Sequence, residues 1–148
     1  MNTSLEQYAE SAPTVSYNLG RLDRLVHQQL GDALGKVGIS VPQFTMLSNL
    51  YQRGATANAT LAARSFISPQ AANQIVKVME QQGWVQKHND PNHGRLVLIE
   101  LTDEGRELYR RCAEQAAAFE QKMLDGLPPE TVIMLKATLK RLLDNLRR

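Results

Sequence analysis

Cys112 is the only thiol in this 148-residue chain, so no internal disulfide can staple it. Long apolar runs are missing too. No stretch is long enough to span a bilayer, and no basic-then-apolar leader opens the chain, which points to the cytoplasm and away from membranes. Charge of one sign is scarce: 17 basic and 15 acidic side chains leave a net +2. Bulk charge therefore names no nucleic-acid partner, and any electrostatic footprint must come from placement. No nucleophile motif, glycine-rich phosphate loop or paired-carboxylate arrangement occurs, which argues against an enzyme. His27 stands alone. His88, Asp90 and His93 are close in sequence, but their spacing matches no established metal site, and a turn tip offers little second shell. Neither metal nor cofactor is expected.

What is present is helical period. The length fits one domain, 1–148, and 43% hydrophobic residues suit an ordinary globular core. Six helices are predicted, with one β-hairpin between the fourth and fifth. The first, over 14–37, carries Val15, Leu19, Leu22, Val26, Leu30 and Leu34 at steps of three and four, and Gly38 terminates it. "SVPQFTMLSNLY" opens the second, with Ser40 and Gln43 at capping-box spacing and Pro42 in the first turn. "ATANATLAARS" reads as a short third helix starting near Asn58 or Thr60. "SPQAANQIVKVMEQQG" is the best-marked: Ser68 is its N-cap, Pro69 its first residue and Gly83 its stop. Two strands follow, "WVQKH" and Arg95 to Leu101, joined by turn-forming residues in "DPNHGR". Thr102 caps a long fifth helix whose apolar stripe is Leu108, Cys112, Ala116, Phe119 and Met123. After "DGLPPE", a sixth helix carries Val132, Leu135, Leu139, Leu142, Leu143 and Leu146.

Two short helices, a three-residue turn and a capped helix make a helix-turn-helix; the hairpin after it makes the unit a winged helix. With Ala72, Ile75 and Met79 turned inward, the capped helix presents Gln70, Asn73, Gln74 and Lys77 outward. Asn and Gln suit adenine edges, and Lys suits guanine or a phosphate. Ser68 stands at the helix N-terminus, where a phosphate is favoured. The bland alternative, a merely solvated polar face, is the default for an isolated amphipathic helix; the attached turn and wing reverse that preference.

At this point the chain resembles the MarR family of bacterial winged-helix regulators. "ISVPQFTML" is similar to the family's LTxxQFxVL, "LAARSFISPQAANQIVKVMEQQGWV" to LAxxLxxSxxxVTRLVxxLExxGLV, and "DPNHGRLVLIELTDEG" to DPxDxRxxxVxLTxxG. The resemblance runs from about residue 39 to 105. It implies a winged-helix lobe at 39–102 and dimerisation helices at 10–38 and 103–148. It implies a homodimer on a palindromic operator in double-stranded DNA, with recognition helices in major grooves and wings in flanking minor grooves. It also implies a repressor released by a small phenolic or aromatic-acid ligand. The leucine-rich first and last helices support the dimer independently, because such stripes need covering.

The expected DNA-binding set is Arg64, Ser68, Gln70, Asn73, Gln74, Lys77, Lys87, His93 and Arg95. Four cations per subunit, Arg64, Lys77, Lys87 and Arg95, give a log–log salt slope of roughly −7 for the dimer. The chain departs from the family pattern in three places. Ser65 and Phe66 occupy the turn, with Phe66 expected to point into the core; Asn73 and Gln74 replace Thr-Arg; and His93 replaces the carboxylate that braces the wing arginine, leaving Asp90 as a substitute brace. By resemblance a ligand pocket is placed among Tyr17, Arg21, Met46 and Cys112, with Arg21 suited to a carboxylate. Cys112 reads as a small buried hydrophobe rather than an oxidant sensor. Two other functions stay open: a winged-helix protein-interaction module without DNA binding, and a ligand-insensitive regulator.

Overall fold

A computed structural model describes residues 3–10 and 13–147. The order is α1 (Thr3–Glu10), α2 (Val15–Gly35), α3 (Val41–Arg53), β1 (Thr56–Ala57), α4 (Asn58–Arg64), α5 (Pro69–Gln81), β2 (Val85–Asp90), β3 (His93–Leu101), α6 (Asp103–Met123) and α7 (Pro129–Leu146). There are thus seven described helices, not six. The addition is α1, a short segment of good helix formers that precedes Pro13 and the Thr14 N-cap of α2. None of the described helices is long and apolar enough to cross a membrane.

Local signals fix most boundaries. At α3 both capping-box bonds form: the Ser40 N–H donates to Gln43 Oε1 (2.9 Å) and the Gln43 N–H donates to Ser40 Oγ (3.3 Å). At α5, Ser68 Oγ accepts from the Ala71 N–H at 3.1 Å. The start of α4 has no side-chain cap; instead Asn58 reaches across, its Nδ2 donating to the Pro69 carbonyl at 3.2 Å. That bond ties the first turn of α4 to the first turn of α5.

The chain divides into two units, residues 1–116 and 117–148. In the first, one core is built from Leu34 of α2, Met46, Leu47 and Leu50 of α3, Leu61 of α4, Val76 and Met79 of α5, the sheet residues Val85, Ile99 and Leu101, and Leu108 and Cys112 of α6. The second unit holds the end of α6 and α7, and α7 has no buried residue. Met123, expected on a buried stripe, is 40% exposed.

The hairpin is part of a three-stranded antiparallel sheet, in the order β1-β3-β2. Thr56 pairs with Ile99 and Ala57 with Leu98. Along β2 the register runs from Val85↔Leu101 to Asn89↔Val97, then shifts so that Asp90 faces His93. Gly94, Arg95 and Leu96 lie in this irregular stretch and have no Cα partner in β2.

The base of the wing is locked to α6. The Thr102 N–H donates to the Trp84 carbonyl (3.1 Å), and the Thr102 hydroxyl donates to the Gly83 carbonyl. The same Thr102 oxygen accepts the Gly105 N–H at 3.1 Å, which makes it the N-cap that the sequence predicts.

Candidate nucleic-acid interface

Helix α5 is two-faced. Ala72, Val76 and Met79 are buried and Ile75 packs beside them. Gln70, Asn73, Gln74 and Lys77 are exposed, at the i, i+3, i+4 and i+7 spacing of one helical face. None of these four side chains makes a hydrogen bond or ion pair among the described residues. Four polar groups are therefore free on one surface. Ser68 is already engaged as the N-cap, so what it offers outward is its place at the helix terminus. Arg64, in the last turn of α4, is exposed nearby in sequence.

The turn between α4 and α5 corrects one expectation. Phe66 does not enter the core; it is 79% exposed. The reason is the way α4 ends. The Phe66 N–H donates to the Ala63 carbonyl (3.3 Å) and the Ile67 N–H donates to the Ala62 carbonyl (3.2 Å). This pair of bonds puts Phe66 in the left-handed region, at φ 57°. The next residue, Ile67, then packs on the core in its place. Phe66 is the one non-glycine residue at positive φ among those described, a conformation costing about 1–2 kcal/mol for an L side chain. Ser65, beside it, is buried with its hydroxyl unpartnered.

In the wing, Arg95 is exposed and has no ion pair among the described residues. Asp90 does not brace it: Asp90 Oδ1 instead accepts the Asn92 N–H at 2.9 Å, stabilising the turn itself. His93 is exposed opposite Asp90. Lys87 lies on the same sheet face as Val85, and its ammonium sits 3.5 Å from Glu80 of α5. His88 is on the other face, with Nδ1 3.4 Å from Glu100, which also accepts from Gln86 Nε2 (2.9 Å). The His88 contact is within ion-pair range but lacks hydrogen-bond geometry. Among the described residues, no group of three or more His, Cys, Asp or Glu is arranged to hold a metal ion.

The four pocket candidates separate. Tyr17 and Arg21 sit together on α2, with the guanidinium 5.8 Å from the ring centroid, within cation–π range. They line an open cavity of about 490 Å³ with Ser16, Gly20, Arg24 and Leu25. Met46 and Cys112 are fully buried core residues and do not line it. Burial pushes the Cys112 thiol up, with the charge of Arg111 opposing, so Cys112 is a poor thiolate. Arg24 was missed, although its place three residues after Arg21 puts it on the same face. Also missed was a stack in which the Tyr109 ring of α6 lies 4.2 Å from Tyr51 and 6.0 Å from Phe44, both on α3. The seven-residue step from Phe44 to Tyr51 was the available signal. Tyr51 also hydrogen-bonds Arg110, which together with Glu107 pushes that guanidinium further up.

Residues 37–96 match the model of the MarR family. The HTH-type transcriptional repressor Rv2887 of Mycobacterium tuberculosis is 28% identical over 134 residues, covering 90% of this chain and 96% of that protein. CouR of Rhodococcus jostii RHA1, solved with p-coumaroyl-CoA, superposes with a TM-score of 0.81 at 23% identity, over 88% of this chain and 92% of that one. The repressor CouR bound to a 23-mer DNA duplex superposes with a TM-score of 0.80 at 19% identity, over 96% of both chains. The family match lies on the helix-turn-helix and the wing, and the structural likeness extends to the flanking helices. The chain is thus similar to the MarR family of transcriptional regulators, in sequence over the helix-turn-helix and wing and in fold over the flanking helices as well.

Proposed function

We propose that this chain is a homodimeric, sequence-specific DNA-binding repressor that a small aromatic acid releases. The observation that carries the reading is the exposed face of α5, where Gln70, Asn73, Gln74 and Lys77 have no partner among the described residues while the opposite face is fixed in the core. A polar face held rigidly by its own back suits base-edge recognition in a major groove. Arg95, exposed in the irregular stretch of β3 and without an ion pair among the described residues, suits a narrow minor groove, where negative potential concentrates. Arg64 and the N-terminus of α5 with Ser68 position the lobe on phosphates, and His93 lies beside the wing tip for the same purpose. The CouR complex with duplex DNA and the repressor Rv2887 support this reading. Lys87 must first leave Glu80 to reach a phosphate, so Arg64, Lys77 and Arg95 carry the electrostatic part.

The winged-helix lobe is residues 39–102, and the helices on either side of it serve dimerisation. Each unit leaves an apolar stripe uncovered: Val15 (67% exposed) and Leu22 (47%) on α2, and Leu143 (50%) and Leu146 (88%) on α7. A second copy of the chain covers such stripes best.

For the effector, Tyr17, Arg21 and Arg24 supply a ring and two cations beside one cavity, which fits an aromatic anion. The CouR complex with p-coumaroyl-CoA supports an aromatic effector class. Release requires that the ligand bind a form unable to span two major grooves more tightly than the DNA-competent form. The test is selection of bound sites from random DNA, followed by gel shift on the selected operator with a panel of aromatic acids. The expected result is a palindromic consensus and release by at least one acid, lost in Arg21→Ala. Failure to enrich any sequence overturns the DNA reading; release unchanged in Arg21→Ala overturns the pocket.

A further inference from the structure

We propose that Phe66 is a specificity-determining residue that reads the 5-methyl group of a thymine at the edge of the major groove; the proposal rests on the DNA-binding reading above. Three of the described helices end with the same pair of backbone bonds. At α2 the Gly38 N–H donates to the Gly35 carbonyl and the Ile39 N–H to the Leu34 carbonyl. At α5 the Gly83 N–H donates to the Glu80 carbonyl and the Trp84 N–H to the Met79 carbonyl. In both, the residue forced to positive φ is glycine, at 83° and 76°. At α4 the residue in that place is Phe66, at φ 57°. Backbone stability alone favours glycine there. The same turn holds apolar surface outside and a polar group inside, since Phe66 is 79% exposed while the Ser65 hydroxyl is buried without a partner. Local folding is served by neither arrangement.

Position supplies the purpose. Phe66 lies two residues before Ser68, the N-cap of α5, and so just ahead of Gln70 on the exposed face. A recognition helix that leads into a major groove with its N-terminal turns carries the preceding turn to the groove's rim. An aromatic ring there meets base edges, and the one apolar group on a major-groove base edge is the thymine methyl. Gln70 and Asn73 take hydrogen bonds from the neighbouring bases, and Phe66 supplies an apolar contact that the amides cannot.

The test uses the full-length protein and the operator obtained by selection from random DNA. Each thymine of the operator is replaced in turn by deoxyuridine, symmetrically in both half-sites, which removes only the methyl. Burying one methyl-sized group is worth roughly fourfold in affinity, and two half-sites roughly fifteenfold. Wild-type protein should lose about that much at one thymine position and little at the others. Phe66→Gly relieves the strained φ and so should fold at least as well, as checked by thermal unfolding. It should bind the thymine operator as weakly as wild type binds the deoxyuridine one, with no further loss on deoxyuridine. The proposal is overturned if no thymine methyl matters to wild type, if the selected operator has no invariant thymine, or if Phe66→Gly loses affinity equally on both or discriminates as wild type does. Failure to select any operator is a different result and sinks the DNA-binding reading itself.

Discussion

Replacing Gly105 by alanine puts a methyl carbon where the backbone of Trp84 already stands. The new Cβ would lie 1.9 Å from the Trp84 carbonyl oxygen, 2.9 Å from its carbon and 3.3 Å from Leu101 Cδ2. The carbonyl is not free to yield, because it accepts the Thr102 N–H at 3.1 Å. Relief therefore requires the wing base and the start of α6 to separate. Overpacking of this kind costs about 1–3 kcal/mol, and breaking the Thr102–Trp84 bond adds about 1 kcal/mol. The better helix propensity of alanine returns up to about 1 kcal/mol. The net expectation is a loss of about 1–4 kcal/mol. Urea unfolding followed by fluorescence reads it directly, since Trp84 is the sole tryptophan and sits at the perturbed contact. Protein concentration must match between variants, because association adds to apparent stability. Gly31→Ala is the control: its Cβ would meet only Val41 Cγ2, at 3.8 Å, so it should be neutral or stabilising by up to about 1 kcal/mol. A Gly105→Ala protein as stable as wild type would refute the claim that this close approach locks the wing to α6.

Three further outcomes follow from the same geometry. Burial holds the Cys112 thiol protonated above its ordinary range, so the native state keeps a proton that the unfolded chain releases. Its contribution to stability is therefore fully present below about pH 8.5 and is lost as pH rises from there through the folded value; Cys112→Ala should flatten that part of the alkaline stability profile, and an unchanged slope contradicts the assignment. With Lys87 held by Glu80, three cations per subunit give a dimer a log–log salt slope of roughly −5 rather than −7, measurable by operator titration at several salt concentrations. Leu143→Glu places a charge on the bare stripe of α7 and should shift the chain to monomer in sedimentation, with operator affinity falling at least tenfold; a dimer that persists unchanged argues against that interface.

Much of this molecule was legible because its signals are local. Ser68, Pro69 and Gly83 bracket α5 to within two residues of its observed ends, and Ser40 with Gln43 starts α3 through bonds the spacing alone foretells. The outward face of α5 followed from helical period, which burial of its back confirms. What stayed hidden depends on backbone detail or on distant partners. Phe66 was expected inside because hydrophobicity says so, but a helix ending that demands positive φ sends its side chain out and Ile67 in. Two-residue alternation predicts a hairpin yet cannot encode the register shift that leaves Gly94, Arg95 and Leu96 unpaired, nor the two-residue strand β1. Asp90 looked free to brace Arg95 only because its bond to the Asn92 N–H is invisible in sequence. Tyr17 and Arg21 are one turn apart and stay together, whereas Met46 and Cys112 come from helices whose packing buries them away from that cavity.

The central claim is that the free face of α5 reads sequence while Arg95 of the wing adds affinity. Parallel selection from random DNA by wild type, Asn73→Ala and Arg95→Ala, followed by titration on the wild-type operator, tests it most directly. Asn73→Ala should relax the consensus at one position in each half-site, at a cost of about 1–3 kcal/mol for the preferred base. Arg95→Ala should keep the base preferences read by α5 and bind all sequences more weakly, with a smaller salt slope and the dimer intact. Identical consensus and affinity for all three proteins would contradict the account.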